Sequence, residues 1–132
     1  MQALWQNGLP KTVKMKKSIL IVDDDIDLLE ILREISNSLD IEPVARNSHV
    51  TLEEIEALQP HLILLDHHLP IISGGDICRR IKSSDAIKKI PVLLISGVTN
   101  LPVLASFCGA NDYIEKPFEL GDLVARIKKY VD

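Results

Sequence analysis

Aromatic residues are scarce in this sequence: Phe, Trp and Tyr together make up 4% of its 132 residues. Leu, Ile and Val must therefore carry the core. Cysteine is nearly absent, and Cys78 and Cys108 alone make no disulfide framework. Cys78 reads as a small core residue on a helix and Cys108 as a helix-end residue, neither needing a redox role. A basic excess is also missing. With 15 Lys and Arg against 19 Asp and Glu, the formal charge is −4, which argues against a nucleic-acid domain working through a basic surface. No apolar run approaches the length that spans a bilayer, and the first residues lack a signal peptide's apolar stretch. No Gly-x-Gly-x-x-Gly follows the first apolar run, which removes a dinucleotide-binding reading. What remains is a soluble, cytoplasmic, mildly acidic chain of ordinary single-domain size.

Residues 1–16 look unlike the rest, with Gly8, Pro10, Lys11, Lys14 and Lys16 in a stretch without clear periodicity. They read as a flexible N-terminal arm, with Trp5 inside it, and 17–132 as the folded domain. From Ser18 the pattern sharpens. Ser18 to Val22, His61 to Leu65 and Pro91 to Ile95 are short apolar runs of the kind expected in a parallel sheet covered on both faces. Glu42 to Arg46 and Asp112 to Ile114 are weaker strands. Between them lie helical patterns. The first repeats Leu28, Leu29, Leu32, Ile35 and Leu39 after a capping Asp25. A short helix opens on the capping box Thr51-Leu-Glu-Glu54. Asp76 to Lys82 follows a turn over Pro70 to Gly75. A short helix around Val103 to Cys108 stops at Gly109. Leu120 to Val131 turns Leu123, Val124, Ile127 and Val131 inward. Strand and helix alternate five times, which implies a parallel sheet with helices on both faces.

The chemistry stands at the carboxyl ends of the strands. The first ends in Asp23-Asp24-Asp25, the third in Asp66 and the fourth in Ser96, while Lys116 follows the fifth. Ligands of open α/β sheets bind outside those ends, so acids, a hydroxyl and an ammonium converge there. Clustered carboxylates repel one another, and a hard divalent cation relieves them. An ionised Asp is a nucleophile able to form an acyl phosphate, and the oxygens of a transferring phosphoryl group need a cation, an ammonium and a hydroxyl as partners. Singly, each residue has a plainer use: the acids as helix caps, Asp66 and Ser96 as turn residues, Lys116 as a solvated charge. Together at one layer of strand ends they read as an Asp that accepts a phosphoryl group.

From Lys17 to Asp132 the sequence strongly resembles the receiver domain of two-component response regulators. The resemblance rests on Ile19-Leu-Ile-Val-Asp-Asp-Asp25, on Leu64-Leu-Asp66 with Leu69-Pro70 and Gly74, on Leu94-Ile-Ser-Gly97, and on Gly109-Ala-Asn-Asp-Tyr-Ile-Glu-Lys-Pro-Phe118. It implies a flavodoxin-like, doubly wound, five-stranded parallel sheet of order 2-1-3-4-5. It further implies that Asp66 is the phosphoacceptor, served by a sensor histidine kinase or phosphotransfer protein. Magnesium (or manganese) would be held by Asp23, Asp24, Asp66 and the backbone carbonyl of His68. Asp24 would bind directly and Asp23 largely through water. Ser96 resembles the switch hydroxyl, Lys116 the phosphate partner and Tyr113 the aromatic switch. Pro117 would follow a cis peptide bond. The output would pass through an unidentified downstream protein, without direct nucleic-acid or membrane contact, from a monomer or weak dimer.

There are departures from the family pattern. Ser96 and Tyr113 stand closer in sequence than is usual, with Pro102 between them, so the fourth helix should be short or distorted. Gly97 stands where Ala is more common. His67 and His68 directly follow Asp66, where His is not typical, and are expected to be exposed and non-ligating. Two other functions compete. A haloacid-dehalogenase-type phosphatase would use Asp23-Asp24-Asp25 as its Asp-x-Asp. It lacks a suitable acidic pair after Lys116, and its turnover would survive Asp66→Asn but not Asp23→Asn. A receiver-like binding module that takes no phosphate would not need the complete acid, hydroxyl and lysine set.

Overall fold

The computed structural model describes residues 16–132, together with two short strands, Trp5–Gln6 and Leu9–Pro10, paired antiparallel. The expected flexible arm, with these pairs and Lys16 excepted, lies outside the described residues. The main body alternates strand and helix: β1 (Lys17–Val22), α1 (Ile26–Ser38), β2 (Ile41–Arg46), α2 (Leu52–Leu58), β3 (Leu62–Asp66), α3 (Gly74–Lys82), β4 (Val92–Ser96), α4 (Leu101–Cys108), β5 (Asp112–Glu115) and α5 (Leu120–Val131). All pairings within this five-stranded sheet are parallel, and the spatial order is β2-β1-β3-β4-β5. This is the flavodoxin-like order 2-1-3-4-5 that the resemblance implies.

The alternation of side chains along the central strands builds two cores. Leu20, Val22, Ile63, Leu65, Val92 and Leu94 point to the face covered by α2, α3 and α4. Ile19, Ile21, Leu62, Leu64, Leu93 and Ile95 point to the other, covered by α1 and α5 through Leu29, Leu32, Leu123 and Ile127. β3 and β4 are buried along their whole length, which is why they read as unbroken apolar runs.

Local chemistry sets the helix ends. Asp25 caps α1 by accepting from the Leu28 N–H at 3.2 Å. At α2, Thr51 and Glu54 form the reciprocal capping box. α3 begins at Gly74, ahead of the expected Asp76, because the Ser73 hydroxyl accepts from the Asp76 N–H and starts the turn earlier. α4 is short, as expected, at eight residues, and begins at Leu101 because Pro102 fits the first turn, where a missing N–H costs nothing. Gly109 ends it at φ +80°. Among the described residues no helix is long and apolar enough to cross a membrane.

Candidate functional site

The parallel sheet brings the ends of β1, β3, β4 and β5 to one edge. Asp23, just past β1, is buried, as is Asp66, the last residue of β3. Asp24 is exposed. Their carboxylate oxygens lie within 4.8 Å of one another, the one such cluster of metal-type side chains among the described residues. Asp23 is held twice: its Oδ1 accepts from the Asp25 N–H at 2.9 Å and its Oδ2 from Lys116 Nζ at 3.0 Å. Lys116 reaches Asp66 Oδ1 as well, at 3.8 Å. The Lys116 N–H donates to the Ser96 carbonyl at 2.9 Å, seating the start of the β5–α5 loop beside the end of β4. The peptide bond between Lys116 and Pro117 is cis, as the resemblance implies.

Burial, and next to it the Asp23 carboxylate, push the Asp66 pKa up from 3.8 to about 6, with Lys116 and the His68 N–H pulling the other way. Asp66 is thus a desolvated carboxylate with one ammonium shared between it and its neighbour. Three hard oxygen donors converging on one point, two of them buried, suit a small divalent cation with water filling the remaining positions.

Ser96 is fully buried at the end of β4, its Oγ accepting from the Val98 N–H at 3.4 Å. Tyr113 is half-buried and packs on the core face that carries α3 and α4. No backbone N–H among the described residues donates to the His68 carbonyl, which remains available as a ligand. His68 is exposed, as expected, but His67 is only half-exposed. The expectation for His67 fails because its ring turns back over α3, where Nδ1 accepts from the Gly75 N–H at 3.1 Å. Burial lowers its pKa, and the neighbouring His68 adds to this.

Two supporting residues escaped the sequence reading. Gly74 appears there only within a motif, yet a Cβ on it would stand 2.0 Å from the Asp66 carbonyl oxygen. The chain packed against Asp66 therefore has room for glycine alone. Arg126 on α5 donates to Asp112 Oδ1 at 2.7 Å and to the Tyr113 carbonyl at 2.5 Å, fixing the strand that carries Tyr113. The Gly74-Gly75 pair at the start of α3 hints at the first. No local pattern signals the second.

Known proteins resemble this chain in sequence and in fold. The family model for the response regulator receiver domain matches residues 19–128. The DNA-binding response regulator MtrA of Mycobacterium tuberculosis is 34% identical over 117 residues, covering 86% of this chain and 50% of MtrA. The phosphate regulon regulatory protein PhoB of Pseudomonas aeruginosa is 36% identical over 115 residues, covering 85% of this chain and 50% of PhoB. The chain thus spans about half the length of these relatives. A crystal structure of a putative response regulator from Chloroflexus aurantiacus superposes with a TM-score of 0.80 at 30% identity, covering 89% of this chain and 98% of that one. With the family model spanning most of the sequence and the fold in agreement, the chain belongs to the response regulator receiver family.

Proposed function

We propose that Asp66 accepts a phosphoryl group from a phosphohistidine on a sensor histidine kinase or phosphotransfer protein, with magnesium (or manganese) held by Asp23, Asp24, Asp66 and the His68 carbonyl. The observation that carries this reading is the Lys116 ammonium, 3.0 Å from Asp23 and 3.8 Å from Asp66, inside a cluster of three carboxylates. The bound cation would offset the carboxylate charge and polarise the phosphoryl oxygens.

In the transfer, an Asp66 Oδ attacks phosphorus, the new O–P bond forming as the N–P bond to the donor imidazole breaks. The imidazole leaves with the electron pair and takes up a proton. Lys116 then pairs with a phosphoryl oxygen instead of with Asp66, and the Ser96 hydroxyl supplies a further hydrogen bond. Tyr113 follows Ser96 by turning inward, which changes the surface presented by α4 and β5. On this reading the chain catalyses only its own phosphorylation and dephosphorylation, in the cytoplasm. It signals through a downstream protein rather than by touching nucleic acid or membrane, as a monomer or weak dimer.

Incubation with acetyl phosphate and magnesium tests this. A phosphoryl adduct mapped by mass spectrometry to Asp66, abolished in Asp66→Asn and by chelation, is expected. An unmodified chain, together with resonances of Tyr113 and its neighbours that do not move with beryllofluoride, would refute it.

A further inference from the structure

Away from the acidic edge, the fold joins two nucleophilic side chains that lie far apart in sequence. Cys78 on α3 and Cys108 at the end of α4 are both free thiols, exposed to 0% and 2%. α3 and α4 pack side by side on one sheet face. The Cys78 thiol donates to the Cys108 carbonyl oxygen at 3.4 Å, and the Cys108 thiol donates to the Ala105 carbonyl at 3.5 Å. The neighbouring Cys78 side chain holds the Cys108 thiol below its ordinary value against the opposing effect of burial, helped by nearby backbone N–H groups and Arg79, while Cys108 and burial push the Cys78 thiol up. One sulfur is therefore disposed to act as a thiolate and the other stands beside it as its partner.

The burial of both thiols raises the question of access, and α4 answers it. The helix has eight residues, and its N-cap Asn100 sits at φ +63° with no side-chain capping bond. Val103 and Phe107 each leave 69% of their surface exposed. Helices this short have little stability of their own, and α4 has one face packed and a weak start, so of the two helices it is the one whose local opening would admit a small oxidant.

We propose that Cys78 and Cys108 are a redox modification site, forming a reversible intramolecular disulfide that ties the end of α4 to α3 when a hydroperoxide is present. The Cys108 thiolate attacks a peroxide oxygen, giving a sulfenic acid and releasing hydroxide from hydrogen peroxide. The Cys78 sulfur then attacks the sulfenic sulfur, closing the S–S bond and expelling the sulfenic oxygen. Both thiol protons end in water: two thiols and one hydrogen peroxide become one disulfide and two waters. The tether holds α4 against α3 whatever the state of the acidic edge, and the proposal does not depend on Asp66 taking phosphate.

The test uses the reduced full chain treated with hydrogen peroxide, then alkylated and digested without reductant. The expected result is an intact mass lower by two hydrogens, a crosslinked peptide pair containing Cys78 and Cys108, and reversal by dithiothreitol. Sulfinic acid on either cysteine without the crosslink, disulfide-linked dimers, or thiols untouched in the folded chain would each overturn it. Hydrogen exchange on the oxidised and reduced forms reads the tether directly. Amides of α4 should exchange at least about tenfold more slowly when oxidised, since the bond closes a loop that opening must otherwise stretch. A crosslink that leaves α4 exchange unchanged would overturn the tethering role.

Discussion

Replacing Asp66 by Asn removes a carboxylate that burial and Asp23 hold at a pKa of about 6 against an ordinary 3.8. A native pKa raised to this extent means that the folded chain binds a proton more tightly than the unfolded one. The resulting stability is fully present below the ordinary value and is lost as pH rises through 6. The difference between 6 and 3.8 corresponds to about 3 kcal/mol. Asn keeps an oxygen for the His68 N–H and leaves Lys116 to Asp23 alone. In metal-free buffer at pH 7.5 Asp66→Asn should therefore be more stable than the parent by about 1–3 kcal/mol. That is about 4 °C in Tm for each kcal/mol in a domain of this size. The gain should shrink as pH falls from 6 towards 3.8 and vanish below 3.8, where Asp66 is protonated in both states. Magnesium should reverse the order at pH 7.5. It stabilises the parent by about 1.4 kcal/mol for each tenfold excess over its dissociation constant, and binds the variant weakly. Urea unfolding at pH 4, 6 and 7.5, with chelator and with magnesium, measures all three effects. A variant no more stable than the parent at pH 7.5 without metal, or a gain that does not shrink with acid, would refute the clustered-carboxylate reasoning.

Other substitutions probe the scaffold around the site. Lys116→Met withdraws the ammonium shared by Asp23 and Asp66. The Asp66 pKa should rise above about 6, read from its carboxyl resonance by NMR, and stability at pH 7.5 should fall by about 2 kcal/mol. Gly74→Ala drives a Cβ into the Asp66 carbonyl; a loss of more than about 2 kcal/mol in urea unfolding is expected, with slower acetyl phosphate labelling as the β3–α3 loop shifts. Thr51→Ala removes half of the α2 capping box and should cost about 1 kcal/mol in urea unfolding while leaving labelling at Asp66 unchanged.

The fold was legible where its causes are local. Helical repeats, the Asp25 and Thr51 caps and the Gly109 stop each depend on residues a few positions apart, and the helices they mark are present. Boundaries shifted where a cap outweighed the turn signal, as Ser73 did at α3, or where Pro102 was taken into a first turn. The acidic edge was legible too, since a parallel sheet carries all its strand ends to one side. His67 was misread because the fate of its ring depends on the Gly75 N–H, eight positions away on the next helix.

The sequence by itself determined the order of elements, the two-faced sheet and the residues at its carboxyl edge, because periodicity and capping act over one or two turns of chain. Tertiary structure decided which of those residues touch. It set Lys116 against Asp23 across 93 positions and Gly74 under the Asp66 carbonyl. It also laid Arg126 on the strand of Tyr113, and Cys78 beside Cys108. Such contacts depend on strand register and helix packing, which bring distant segments together, and no local pattern in the chain records them.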